Sequence, residues 1–311
     1  MEIAIIGLGV WGEKLTRVAL SLGFAVHGFD PDSHRAHTVK RLFPNLILHN
    51  AVSDIFENRN IRAVIVAAPP QHHFALAKKA LLSGKHVLVE KPMVTSLREA
   101  EQLRQLAEKT HHRIMIDYTF LFSPALRSCQ RLISRGAIGT VTRIESIRTG
   151  SRTRPGNTVL WDLAPHDIAI AQFLLPQHIR SVRTFAEAYR PGYSLPQAII
   201  ELTTDNSVRY VGYISWDNPA KARNLSIIGS EGALAVSWSG KEEMLRRYQH
   251  GRVRHIQTPA REPLAEMLRH FSHTVKTGTR PTSDAKLGYA NIRTISALTD
   301  SWKKNGARIT L

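Results

Sequence analysis

The sequence predicts two architectures in series. Residues 1–119 read as a doubly wound parallel α/β sheet, and residues 120–311 as an α+β domain with an open, mainly antiparallel sheet. Three observations predict this. Apolar runs of strand length alternate with amphipathic helical stretches as far as Tyr118. Beyond that point, extended segments follow one another across short turns. The first strand ends in the glycine run Gly7-Leu8-Gly9-Val10-Trp11-Gly12 and opens directly into a helix.

The elements follow in order. Ile3 to Ile6 is the first strand. Trp11 to Leu22 is a helix with Leu15, Val18, Ala19 and Leu22 on one face, stopped by Gly23. Phe24 to Phe29 is a strand closing on Asp30, and Ile61 to Ala68 is a strand ended by Pro69-Pro70. Phe74 to Leu82 is a helix stopped by Gly84, and His86 to Val89 is a buried strand that runs into Glu90-Lys91-Pro92. Ser96-Leu97-Arg98-Glu99 has the pattern of a capping box, ahead of a helix that buries Ala100, Leu103 and Ala107. Ile114 to Tyr118 is the last strand of this half. Ligands of such sheets lie beyond the carboxyl ends of the strands, so Gly7, Asp30, Pro69, Glu90 and Tyr118 are expected to face one crevice.

The second half begins with a helix from Pro124 to Arg135. Extended segments follow at Val141 to Arg148, Ser181 to Tyr189, Gln197 to Thr203, Val208 to Trp216, Asn224 to Ile228 and Ala233 to Trp238. Asp205-Asn206 and Gly229-Ser230-Glu231-Gly232 read as hairpin turns. One helix, Trp161 to Leu174, interrupts the strands, and two more are expected near 263–277 and 284–303. The first of these carries Leu264, Leu268, Phe271 and Val275 as an apolar stripe, and both are expected to pack across the domain junction. Tyr210, Ile214 and Trp216 share one side of their strand, as core or as an oligomer contact.

Length and composition narrow the function. At 311 residues and 43% hydrophobic, the chain has room for two real cores. Cys129 is its one cysteine, which excludes an internal disulfide and fits a reducing compartment. No apolar run approaches a membrane span and the amino terminus enters a strand at once, so a soluble cytoplasmic protein is expected, with no membrane partner. The net charge of +17 is spread from Lys14 to Lys304 without a long basic run. It is read as a surface suited to anionic small molecules rather than to nucleic acid. No metal site is expected.

The glycine turn carries the most specific chemistry. Gly7 permits the tight turn, Gly9 lets the backbone approach a pyrophosphate, and Gly12 lets helix and strand pack closely. The unpaired amides of the following helix favour an anion. Asp30 stands about 20 residues on, where an acid meets the adenosine ribose hydroxyls. A 2′-phosphate would face its carboxylate, so NAD is expected, while His34 and Arg35 nearby leave NADP open. The second constellation is Trp161-Asp162-Leu163-Ala164-Pro165-His166-Asp167. Helical spacing places Asp162 and His166 one turn apart, a carboxylate that can orient an imidazole base. Pro165 is tolerated only in a first turn, so the helix proper should start near Ala164 or Pro165, with Asp162 partly its N-cap. Lys91, held in a bend by Pro92, can hydrogen-bond a reacting hydroxyl.

Together these residues resemble the Gfo/Idh/MocA family of pyridine-nucleotide-dependent oxidoreductases. The markers are the glycine turn, Pro69-Pro70-Gln71-His72-His73, Gly84-Lys85-His86-Val87-Leu88-Val89-Glu90-Lys91-Pro92, and Asp162-x-x-x-His166, which extend over nearly the whole chain. The resemblance implies catalytic positions at Lys91, Asp162 and His166. It implies cofactor positions at Gly7, Leu8, Gly9, Val10, Trp11, Gly12, Asp30, Pro69, His73, Glu90 and Lys91. It also implies action on a sugar or cyclitol, and a homodimer or homotetramer joined through the second sheet. Val159-Leu160-Trp161 stands where many members carry small glycines, and Trp161 is expected to shape the sugar pocket. The motif is similar to that of a branch oxidising C3 of UDP-N-acetylglucosamine. Tyr118, Arg148, Arg152 and Arg154 are the remaining candidate substrate contacts, the arginines as a diphosphate dock or, equally, as a basic surface loop. A free cyclitol or hexose substrate, or a dinucleotide-sensing regulator without turnover, are the competing readings.

Overall fold

The computed structural model describes residues 1–150, 158–175, 177–186, 195–240 and 242–311. It divides into two compact units, residues 1–119 with 262–292, and residues 120–261 with 293–311.

The first unit is built as strand and helix in alternation: β1 (Glu2–Ile6), α1 (Val10–Ser21), β2 (Ala25–Phe29), α2 (Ser33–Leu42), β3 (Ile47–Leu48), α3 (Val52–Glu57), β4 (Ala63–Val66), α4 (His73–Leu82), β5 (His86–Glu90), α5 (Leu97–Thr110) and β6 (Ile114–Asp117). All six strands are parallel, in the order β3-β2-β1-β4-β5-β6. Ile3, Ala4 and Ile5, and Val64 with Val66, are shut off from solvent, as strands covered on both faces must be. The chain order reverses between β1 and β4, which makes their carboxyl ends the switch point of the sheet. Ser96 Oγ caps α5 by accepting Glu99 N at 3.2 Å.

The second unit holds α6 (Pro124–Ser134), β7 (Val141–Thr149), α7 (Val159–Asp162), α8 (Ala164–Leu174), β8 (Ile179–Phe185), β9 (Gln197–Thr204), β10 (Arg209–Ser215), β11 (Arg223–Gly229), β12 (Ala233–Ser237), β13 (Met244–Gln249) and β14 (Arg252–Ile256). After these come α9 (Pro263–Thr277), α10 (Ala285–Lys303) and β15 (Ile309–Thr310). The sheet runs β14-β13-β12-β11-β7-β10-β9-β8-β15. Its one parallel pair among the described residues is β7 with β10, and the other neighbours are antiparallel. One face is covered: Tyr210, Ile214 and Trp216 are buried there with Ile144, Ile200, Leu225 and Leu234, under α6, α7 and α8. Tyr210, Ile214 and Trp216 are therefore core. On the opposite face, Ile147, Tyr213, Ile199 and Phe185 stand in register across β7, β10, β9 and β8, and the three apolar aliphatic or phenyl members are each at least 40% exposed.

The helix proper starts at Ala164, where Pro165 in its first turn led the sequence to expect it, while Val159–Asp162 forms a separate short helix before it. One feature differs from the sequence expectation. Residues 262–292 go with the first unit. There the stripe Leu264, Leu268, Phe271 and Val275 is buried, α9 contacts α1, and Arg17 reaches Glu262 at 2.6 Å. Asp284 bridges Met115, and Ser283 Oγ donates to Ile116 O at 2.6 Å.

Candidate active site

In the first unit the functional side chains gather at the carboxyl ends of the strands. Gly7 sits at a φ of +95°, and a Cβ there would lie 2.6 Å from Ala67 O. A Cβ on Gly12 would lie 1.9 Å from Gly7 O, so only glycine lets α1 start this close to β1. A Cβ on Gly9 would meet nothing within 4 Å. The backbone is thus crowded on the protein side and open at Gly9, which is the shape a pyrophosphate needs. Val10 begins α1 with its side chain exposed. These residues fit a dinucleotide. Gly7, Leu8, Gly9, Val10, Trp11 and Gly12 would cradle its phosphates, and Asp30 stands at the end of β2.

Asp30 also closes the turn on itself. Its Oδ2 accepts Leu8 N at 2.7 Å and its Oδ1 accepts Asp32 N at 2.9 Å, while Arg35, half exposed, lies 3.5 Å away. Lys91 follows β5, and its N–H donates to Glu90 Oε2 at 3.0 Å. Pro69 precedes a short turn, and its carbonyl accepts His72 N at 2.9 Å. His73 is fully buried, with its ring nitrogens 2.9 Å from Pro92 O and 2.7 Å from Ala68 O. Burial pushes that ring's pKa down, against the pull of the Pro92, Ala68 and Met93 carbonyls. The structure therefore gives His73 the work of pinning the segment after Lys91 to the end of β4. Tyr118 is buried, and its hydroxyl has no hydrogen-bond partner among the described residues.

In the second unit, Asp162 ends α7 and is buried. Its Oδ2 accepts the Trp216 indole N–H at 3.1 Å, across from β10. It does not cap α8, whose N-cap is Leu163 without a side-chain bond. His166 is in the first turn of α8, with the Phe120 ring edge-on at 5.2 Å between centroids. Trp161 precedes Asp162 and is half-buried. Arg148 points inward from β7. Its Nε donates to Asp167 Oδ2 at 3.1 Å, and the Tyr210 hydroxyl donates to Asp167 Oδ1 at 2.7 Å. The Arg148 guanidinium lies 4.5 Å from the Phe120 ring centroid, and one of its terminal nitrogens, Nη1, is buried without a partner among the described residues. Arg152 and Arg154 lie outside the described residues.

Three residues escaped the sequence reading. Arg223, at the start of β11, places its guanidinium 5.5 Å from Phe120. Burial and then the Arg148 charge hold it below the usual arginine range, with Asp162 pulling the other way. The signal was its alternation with the buried Leu225 and Ile227, which marks an inward position. Asp117 ends β6 and accepts the Trp11 indole N–H at 2.9 Å. Its signal was a carboxylate closing the buried run Ile114 to Ile116. Asp167 was visible in the motif, but nothing local marked it as the partner of Arg148, 19 residues away.

Residues 1–118 match the profile of an oxidoreductase family with an NAD-binding Rossmann fold, and residues 126–235 match the Gfo/Idh/MocA C-terminal domain. The chain belongs to the Gfo/Idh/MocA family. It is 27% identical over 296 residues to an uncharacterized oxidoreductase of Synechocystis sp., which covers 86% of this chain and 78% of that protein. It is 24% identical to scyllo-inositol 2-dehydrogenase (NAD(+)) of Bacillus subtilis, over 83% of this chain and 80% of that one. Among solved structures, UDP-N-acetylglucosamine 3-dehydrogenase from Acidithiobacillus ferrooxidans superposes with a TM-score of 0.89 at 20% identity, covering 98% of each chain. At that identity the likeness shows the fold. The NAD-binding match covers the first unit's parallel sheet with its glycine turn, and the C-terminal match covers the second-unit helices α7 and α8 that carry Asp162 and His166. No described helix is long and apolar enough to cross a membrane.

Proposed function

We propose that the protein is an NAD(P)-dependent oxidoreductase that interconverts a secondary alcohol and a ketone on a sugar, with a nucleotide sugar oxidised at C3 as the preferred substrate. The observation that carries the choice of an anionic sugar is the pair of inward guanidiniums, Arg148 and Arg223, on the Phe120 ring that also meets His166. Asp167 takes one edge of Arg148, and its buried Nη1, without a partner among the described residues, is the donor offered to an anionic substrate. A phosphate accepts bidentate hydrogen bonds from arginine. The likeness in fold to a UDP-N-acetylglucosamine 3-dehydrogenase supports the same reading. The similarity in sequence to scyllo-inositol 2-dehydrogenase supports the alternative, a free cyclitol.

In the proposed reaction His166 accepts the hydroxyl proton, and Asp162 orients the ring or the hydroxyl. Lys91 donates a hydrogen bond to the reacting oxygen, which lowers the cost of its developing charge. A bound nicotinamide supplies the hydride acceptor. The protein supplies the position of that acceptor through the glycine turn and Asp30. NAD is the proposed cofactor, because Asp30 repels a 2′-phosphate. Arg35 beside it is the residue through which NADP would be accommodated. The protein is further proposed to act in the cytoplasm as a homodimer or homotetramer, covering the row Ile147, Tyr213, Ile199 and Phe185.

The test is the appearance of reduced nicotinamide absorbance with UDP-N-acetylglucosamine, scyllo-inositol and free hexoses, each with NAD and with NADP. Turnover confined to the nucleotide sugar with NAD meets the proposal. Turnover confined to the cyclitol moves the substrate class, and equal kcat/KM with NADP overturns the cofactor choice. No turnover with any pair favours a sensor. Light scattering reports the assembly, and a monomer at micromolar concentration would reject the proposed oligomer.

A further inference from the structure

The carboxyl groups of Glu90 and Asp117 are neighbours for a reason fixed in the sheet. They are register partners at the last position of β5 and β6, so their side chains project from the same face about 4.8 Å apart in strand spacing. Each carboxyl acts on the other, raising Glu90 and lowering Asp117. Asp117 is buried, and so is Oε1 of Glu90. Two neighbouring carboxylates with little access to water resist joint ionisation.

The donors around each group decide which one holds a proton. Asp117 Oδ1 accepts Thr119 N at 3.1 Å and a close Thr119 hydroxyl, and its Oδ2 accepts the Trp11 indole N–H at 2.9 Å. Three donors favour the charged form there. Glu90 receives one donor, Lys91 N on Oε2, and its Oε1 has no donor among the described residues. We propose that Glu90 is a neutral carboxylic acid whose O–H is donated to the Asp117 carboxylate. Asp117 is then a positioning residue that ties the glycine turn, through Trp11, to the backbone of Lys91, through Glu90. Burial raises both groups above the usual carboxylate range, Glu90 the more strongly. Among the described residues, the other charged group acting on the pair is Lys91, which pulls both down. The dyad carries one negative charge beside that lysine. Losing the shared proton puts two charges there and strains the Trp11 bond to the turn.

The part of this that bears on catalysis rests on the role proposed for Lys91. The protonation of Glu90 does not, and it can be read without turnover. Infrared spectra of the whole protein at pH 7 should contain a protonated carboxylic acid band that moves on carbon-13 labelling of glutamate. Glu90→Gln and Asp117→Asn should each remove it. Absence of the band in the wild type, or its survival in Glu90→Gln, overturns the dyad. The labelling experiment needs no variant, so a misfolded substitution does not decide the matter. The NADH dissociation constant should weaken at high pH in the wild type, and that limb should move by about one pH unit or more in Asp117→Asn. An unmoved limb overturns the positioning role. If the band and the limb behave as expected while no sugar is turned over, the dyad stands and the proposed function fails.

Discussion

In the first unit the candidate functional groups lie at the ends of parallel strands, each placed by a local device. A glycine sits where a Cβ would strike backbone, a proline follows Lys91, and a carboxylate closes β2. In the second unit they lie on the covered face, near the end of β7 and the start of β11, and each is placed by a partner far along the chain. Arg148 is held by Asp167, Asp162 by Trp216, and His166 is packed against Phe120. The difference follows from topology. A doubly wound sheet brings successive strand ends together by chain order alone. A mixed sheet under helices juxtaposes inward side chains only after the whole layer has packed. The first kind of site should therefore be broken by changes in backbone freedom, and the second by removing a buried partner.

The largest expected effect tests whether the two kinds of site serve one reaction. Lys91→Ala and His166→Ala, one from each unit, should each lower kcat about a thousandfold, or ~4 kcal/mol, with NADH affinity nearly kept. The double variant should lose little more than the worse single variant, as groups acting as a unit do. Fully additive losses in kcat would show that the two residues act independently. Next, Asp167→Ala strands the buried Arg148 and should cost about 3 kcal/mol or more of stability, read as a lower urea midpoint. Tyr210→Phe, which removes one donor to Asp167, should cost about 1 kcal/mol. Equal small losses for both would deny that the second unit depends on this ion pair.

Two glycines sharpen the other side. Gly12→Ala drives a Cβ into Gly7 O and should cost about 2 kcal/mol together with NADH binding. Gly9→Ala meets open space, so stability should stay within about 0.5 kcal/mol while NADH affinity, measured by fluorescence titration, falls. Equal stability losses would contradict the geometry of the turn. A further effect concerns acid. Burial, then His112, Arg62 and Arg113, push His86 from 6.5 to about 4. The unfolded chain then binds a proton that the folded chain refuses. The contribution to stability is whole above pH 6.5 and is lost as pH falls towards about 4. His86→Gln should flatten the urea midpoint over that range, and an unchanged pH slope would remove His86 as the cause.

Legibility differed from residue to residue. The strands of the first sheet, the glycine turn and Asp30 could all be read, because apolar runs and glycine constraints are local signals. β13 and β14 could not be read. Met244–Gln249 and Arg252–Ile256 lie toward one edge of the second sheet and are rich in charge, so they lack the apolar face that marks a strand. The apolar stripe of α9 was plain, but a stripe does not name its partner, and residues 262–292 turned back to α1. Asp162 looked like a helix cap because Pro165 announced a helix start. Its observed partner, Trp216, is 54 residues away.

By itself, the order of residues determined the two architectures, the dinucleotide turn and the identity of the family. Each of these depends on spacing along the backbone, where sterics and periodicity act within a few residues. Tertiary structure alone decided that Arg148 spends one face on Asp167, that Arg148 and Arg223 share the Phe120 ring that meets His166, and that Glu90 meets Asp117. Those outcomes depend on which buried polar groups find partners once water is gone. The energy of a desolvated charge is set by its neighbours in space, and no local pattern records them.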